Sequence, residues 1–288
     1  MKVGVVGNPR YPDLRAFLRQ LVELAPSRSI SLFTEPRIAE FWGEPVQSLD
    51  GVALDALLTF GGDGTLLRGA RLLDGKPVPI LGLNLGKVGF LATAPRHGLA
   101  AALDALVEGR FVTEPRQALK TVIESPDGSV QPLQLALNDV VVHKGGVARV
   151  IRLDVVLEGE SVGPYSADGL IVATPTGSTA YSLSAGGPIV VPGVQALVIT
   201  PICAHTLAVR PLVIPSTWEI VIQPIDAEEE DILVSVDGQV GTRLPPSGRV
   251  RVRRADDPVL LVRLERQGYF HRMRQKLHWG DLTDRHPH

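Results

Sequence analysis

Apolar positions in the first third of the chain alternate between two periods. Lys2 to Val6 is a short apolar run, the mark of a buried strand. In Pro12 to Leu24 the apolar residues fall at 14, 17, 18, 21 and 24, which is helical spacing. Ala56 to Phe60 is again a short apolar run, and it ends at Gly61-Gly62. Thr65 to Leu73 follows with apolar residues at 66, 67, 70 and 73, predicting a helix. Val78 to Leu83 predicts a strand and Leu99 to Val107 a helix. Strand and helix in alternation predict an open, parallel α/β layer.

From about residue 117 strand patterns follow one another with turns between them. Ala118 to Glu124, Val130 to Val142, Arg149 to Leu157, Trp218 to Gln223, Ile232 to Val236, Arg249 to Arg253 and Val259 to Leu264 all read as strands. Arg249-Val250-Arg251-Val252-Arg253 alternates strictly, so one of its faces is wet. Consecutive strands with Pro-Asp-Gly-Ser and Glu-Gly-Glu-Ser turns predict a β-sandwich. Gln267 to Trp279, with Phe270, Met273 and Leu277, predicts a last helix.

Composition narrows the function classes. The net charge of −2 argues against a general nucleic-acid binder. The single cysteine, Cys203, leaves no intrachain disulfide and fits a reducing cytoplasm. The longest apolar stretch, Ile189 to Thr200, is interrupted by Pro192 and Gly193 and is too short to span a membrane. The N-terminus lacks the apolar core of a signal peptide, so a cytoplasmic protein is expected. Glycine (29) and proline (23) are plentiful while aromatics make up 5%, which asks for many turns or close backbone contacts.

Some patterns point to chemistry and fail on context. Gly159-Glu160-Ser161-Val162-Gly163 matches a nucleophile elbow, but it lies between two strands rather than between a strand and a helix. Glu228 to Asp231 reads as a solvated loop. The histidines form no metal-ligand pair, so no protein metal site is expected. No Walker A loop is present, and no G-x-G-x-x-G follows the first strand.

Gly61-Gly62-Asp63-Gly64-Thr65 sits where a strand ends and a helix begins, the place where ligands of open α/β sheets collect. Glycines there let phosphate oxygens approach backbone amides at a positive helix end. A carboxylate in that setting could take a proton from an attacking hydroxyl, engage a phosphate-bound cation, or cap the helix. Three further clusters stand out: Asn84 to Leu91, Asn138-Asp139 within an apolar run, and Asp168 to Pro188. The last is rich in hydroxyls and small residues, with Tyr181 the one aromatic ring. Its hydroxyls could bond a ligand or simply close a Ser/Thr turn.

Together these segments resemble the NAD kinase family. The resemblance runs from the first strand to Trp279. It rests on the Asp63 loop, Asn84 to Leu91, Asp168 to Pro188, Pro201 to Leu207 and Asp237-Gly238-Gln239. It implies transfer of a phosphoryl group to the 2′-hydroxyl of the adenosine ribose of NAD. It implies Asp63 as the general base, Gly62 and Gly64 beside phosphate, and Arg68 adding positive charge. It further implies dinucleotide contacts from Asn138, Asp139, Arg149, Asp168, Thr179, Ala180, Tyr181, Ser184 and Gln239. Where many members carry Glu, position 139 is Asp. The donor would be ATP or polyphosphate with Mg²⁺ or another divalent cation, and the subunits would associate as a dimer or tetramer.

The expected fold is an α/β N-terminal domain with a Rossmann-like open sheet and a mostly antiparallel β-sandwich C-terminal domain. The expected limits are 1–116, 117–266 and a helical tail, 267–288, packing back on the first domain, and the family implies a site between the two domains. The rival readings are another kinase with this glycine loop, acting on a lipid or sugar, and a catalytically silent NADP-binding regulator.

Overall fold

The computed structural model describes the chain except for residues 87–88, 92–93, 95–97, 147–149, 207, 226–230, 240, 265–267 and 278–288. It divides into two units. The first comprises Met1–Leu73, Pro77–Pro115 and the stretch from Leu260. The second comprises Asp74–Lys76 and Arg116–Val259.

The first unit begins with β1 (Lys2–Gly7), α1 (Leu14–Leu24), β2 (Ser31–Thr34) and β3 (Gln47–Ser48). It continues with β4 (Ala56–Gly61), α2 (Asp63–Leu73), β5 (Ile80–Asn84), α3 (Leu99–Val107) and β6 (Val112–Arg116). Every residue of β4 is buried, as expected for a parallel strand covered on both faces. Helix α1 buries Leu14, Phe17, Leu18 and Leu21, one face at i, i+3, i+4 and i+7. Helix α2 comes close to β4 because Gly69 is bare: a Cβ there would lie 2.9 Å from Leu57 and Thr59 side-chain carbons.

The second unit carries β7 (Leu119–Glu124), β8 (Val130–Pro132), β9 (Asp139–Lys144), β10 (Ile151–Leu157), β11 (Glu160–Ala167) and β12 (Gly169–Ala173). After the short helix α4 (Tyr181–Ser184) come β13 (Ala196–Ile202), β14 (Leu212–Pro215), β15 (Ile220–Pro224), β16 (Ile232–Val236), β17 (Thr242–Arg243) and β18 (Arg249–Arg254). They form two six-stranded sheets, β11-β10-β15-β18-β7-β8 and β14-β13-β12-β9-β16-β17, whose paired strands run antiparallel. Apolar residues of both sheets, among them Leu153, Val172, Ile222 and Val250, share one core. The strict alternation read in Arg249 to Arg253 holds: Val250 and Val252 are fully buried. Val130 to Val142, read as one strand, is two, β8 and β9, with the 133–138 segment between them.

The last strand, β19 (Val259–Arg263), departs from the domain limits read in the sequence. It was expected in the sandwich, yet it enters the first unit's sheet, whose order is β3-β2-β1-β4-β5-β19-β6. Leu261 pairs with Ile80 in parallel. A run of five apolar-rich residues carries no local sign of which sheet will accept it. Helix α5 (Tyr269–Leu277) follows and buries Arg272 and Met273.

The false elbow is an antiparallel hairpin, as its context indicated. Leu157 faces Glu160 across Glu158-Gly159, both with positive φ, a two-residue hairpin turn. Among the described residues no helix is long and apolar enough to cross a membrane.

Candidate functional site

Asp63 is the first residue of α2, directly after the Gly61-Gly62 link from β4. Gly61 has to be bare, because a Cβ there would lie 2.2 Å from the Thr65 hydroxyl. The Asp63 carboxylate reaches across to the loop after β5. The Phe90 amide donates to Oδ2 at 2.8 Å and the Leu91 amide to Oδ1 at 3.1 Å. Gly89 completes this cradle, since a Cβ there would stand 2.0 Å from Oδ1. Two backbone donors, one to each oxygen, fix the orientation of the carboxylate. Gly62 is half-buried at the start of the helix and Gly64 is exposed beside it.

Arg68 does not stand as a free cation. Its Nη2 pairs with the buried Glu35 carboxylate at 2.9 Å and donates to the Gly7 carbonyl at 2.6 Å. Gly7 in turn donates to the same Glu35 oxygen. Burial pushes the Glu35 carboxyl up and the Arg68 guanidinium down from their ordinary values. The positive charge expected from Arg68 is therefore largely spent inside the protein.

In the second unit a cavity of about 550 Å³ opens on sheet β14-β13-β12-β9-β16-β17. Of the residues picked from the sequence, Asn138, Asp139, Asp168, Ala180 and Tyr181 line it together. Thr179, Ser184 and Gln239 are not among its walls. The Thr179 hydroxyl turns back to the Thr176 carbonyl at 3.2 Å, and Ser184 and Gln239 are exposed. Arg149 lies outside the described residues.

The hydroxyl-rich segment proves largely structural. Thr174 donates to the Leu137 carbonyl at 2.6 Å, and Ser178 to the Pro175 carbonyl at 2.7 Å. Ser182 shares a 2.8 Å bond with Thr200. These hydroxyls shape the loop rather than face a ligand.

Three residues to which the sequence reading gave no role belong to this wall. Lys144 Nζ binds Asp168 Oδ1 at 2.7 Å, so Asp168 enters the cavity already paired. Asp237 accepts from three successive amides, Leu137 at 3.1 Å, Asn138 at 2.8 Å and Asp139 at 3.2 Å. Asp237 and Gly238 both adopt positive φ in the turn after β16. His143 is the third. Its position was legible: on β9 the residues 139, 141 and 143 share a face by alternation, and all three line the cavity.

Asp139 is only 4% exposed. Burial, reinforced by the nearby Asp237 charge, pushes its carboxyl up to about 7. The stability consequence has a definite sign. A raised carboxyl favours the folded state at low pH, where it stays protonated, and this contribution is lost as pH rises from about 4 to about 7. Asp139→Asn removes the penalty and should raise the melting temperature at pH 8 by about 5 °C, with little change at pH 4. Thermal melts of both proteins at the two pH values check this. An equal shift at both would show that the charge is not the cause.

The fold and site define a two-domain protein, an α/β unit with a glycine-cradled carboxylate and a β-sandwich with a polar cavity. Residues 12–111 match the family model described as the ATP-NAD kinase N-terminal domain, and residues 137–264 match the ATP-NAD kinase C-terminal domain. An NAD kinase of Gemmatimonas aurantiaca is 47% identical over 285 residues, covering 99% of this chain and 98% of that protein. One of Moorella thermoacetica is 40% identical, covering 97% and 90%. Among solved structures, yeast NADH kinase complexed with NADH superposes with a TM-score of 0.84 at 27% identity, over 97% of this chain and 88% of that one. An Archaeoglobus fulgidus NAD kinase in complex with ATP shares the fold, with a TM-score of 0.73 at 24% identity over 96% and 99%. The chain belongs to the NAD kinase family.

Proposed function

We propose that the protein transfers the γ-phosphoryl group of ATP to the 2′-hydroxyl of the adenosine ribose of NAD, giving NADP and ADP. The observation that carries this reading is the Asp63 carboxylate, held by the Phe90 and Leu91 amides at the start of α2. As the 2′-oxygen forms its bond to the γ-phosphorus and the bond to the ADP oxygen breaks, Asp63 takes the 2′-hydroxyl proton. Gly62 and Gly64 leave the helix N-terminus open to phosphate oxygens. The sandwich cavity holds the dinucleotide, with Asn138 and Asp139 on its polar groups and Tyr181, half-exposed, against a ring. That yeast NADH kinase, of like fold, was crystallised with NADH supports a dinucleotide as the ligand. Asp168 and Ala180, on the same wall, add to these contacts, and the family resemblance alone adds Arg149, Thr179, Ser184 and Gln239 to the proposed set.

Among the described residues no group of three or more His, Cys, Asp or Glu stands together to cage a metal. The divalent cation, Mg²⁺, is proposed as part of the donor substrate, where it neutralises charge on the transferring phosphates. We also propose a cytoplasmic homodimer or homotetramer, following the family resemblance and the single cysteine.

The test is incubation of the purified protein with NAD, Mg²⁺ and ATP, reading NADP. NADP should form, and EDTA should stop it. No NADP with ATP or polyphosphate would overturn the reading, and tight NADP binding without turnover would identify a silent regulator instead.

A further inference from the structure

We propose that Arg263 is a positioning residue for Asp63, acting through the backbone of Leu91. The inference rests on Asp63 being the base. Arg263 is the last residue of β19 and is 7% exposed. Its Nη1 donates to the Leu91 carbonyl at 3.2 Å. The amide of that same residue donates to Asp63 Oδ1 at 3.1 Å. On the other side, Arg263 Nε binds Glu114 Oε2 of β6 at 2.5 Å.

The sheet order explains the arrangement. β19 lies between β5 and β6. From that place its final side chain can hold the loop that leaves β5 on one side and anchor to β6 on the other. The resulting chain of contacts runs Glu114, Arg263, Leu91, Asp63.

Two observations say that this chain transmits position rather than merely filling space. First, the loop packs against the carboxylate without slack, since even a Cβ on Gly89 would lie 2.0 Å from Oδ1 and 2.5 Å from Cγ. A loop that shifts carries the carboxylate with it. Second, Arg263 Nη2 is buried without a hydrogen-bond partner. A buried guanidinium with an unmet donor is a poor choice for stability alone. Its planar fork, however, can hold a carboxylate and a carbonyl at once in fixed directions, which a lysine amine on a flexible stem cannot do. Misplacing a reacting group by about 1 Å can cost about 100-fold in rate, so a small shift of the loop is enough to register.

The experiment is steady-state kinetics of Arg263→Gln and Arg263→Lys, each in the native background and in Asp63→Asn. In the native background kcat should fall about 10-fold for both, with KM for NAD within about two-fold, because Arg263 touches no substrate. In the Asp63→Asn background the same substitutions should change kcat less than about two-fold, since the group being positioned is already gone. Thermal melts report folding. If Arg263→Gln does not fold, Glu114→Gln/Arg263→Gln removes both charges together and takes its place in the cycle.

An equal loss of kcat in both backgrounds would overturn the proposal while leaving Asp63 as the base. So would an unchanged kcat in folded Arg263→Gln. Full turnover in Asp63→Asn alone would overturn the base itself, and the positioning role with it.

Discussion

Asp63→Asn should lower kcat by about 100-fold or more while leaving NAD affinity nearly unchanged. The substitution is close to isosteric. An Asn carbonyl oxygen can still accept one of the amide bonds that Phe90 and Leu91 now make to the two carboxylate oxygens. What it cannot do is accept a proton from a hydroxyl. The cavity proposed for the dinucleotide belongs to the other unit and should keep its walls. Initial rates with saturating NAD, together with an equilibrium binding measurement, check the split. Unchanged turnover would make Asp63 a structural residue that tethers the loop after β5. Loss of binding along with turnover would show that the loop itself had collapsed.

The second large effect is expected at Gly177. A Cβ there would lie 2.0 Å from the Asn138 carbonyl oxygen and 2.4 Å from its carbon. Both are backbone atoms, held by the Asn138 amide's bond to Asp237 and by the Thr174 amide's bond to the Asn138 carbonyl. Neither can swing aside as a side chain could. Gly177→Ala must therefore push the 138 segment or the 174–180 loop out of place, costing about 2–4 kcal/mol, in the range of overpacked and strained sites. Since Asn138, Asp139, Ala180 and Tyr181 all line the cavity, NAD affinity should fall at least about 10-fold. Denaturant melts and NAD titration read the two losses. A protein of native stability and native affinity would show that the loop has more freedom than these contacts allow.

How much of this could be read in advance follows from the range of each signal. Helical periods at Leu14 to Leu24 and alternation at Arg249 to Arg253 act over a few residues, and both elements form where the pattern places them. Asp63 and its glycines were visible because a strand, a bend and a helix follow one another without a break. Pairings across long separations were not visible. Arg68 looks like a free cation until Glu35, from another strand end, is folded onto it. Asp168 looks unpaired until antiparallel pairing of β9 with β12 brings Lys144 beside it. The hydroxyls of Thr174, Ser178 and Ser182 have the same composition whether they bind a ligand or the backbone, and only the fold distinguishes the two. Asp237 was noticed as part of a motif, but its capture of three amides depends on strands about 100 residues apart.

The insertion of β19 between β5 and β6 bears on how the molecule comes into being. On the ribosome, β5 and β6 emerge early, while the strand that joins them comes only after the whole of Arg116–Val259 has been made. At about 5–20 residues per second that is a wait of roughly 7–30 s, during which β5 presents an open, apolar edge. The sandwich, contiguous in sequence, can close first. The α/β layer is completed last, by the same segment that delivers Arg263 to the loop beside Asp63. A chain released before that point would carry the Asp63 loop and the residues that line the cavity, yet lack the strand that seals the sheet. The joining strand thus arrives late in synthesis, and a product cut short before it leaves β5 and β6 unjoined.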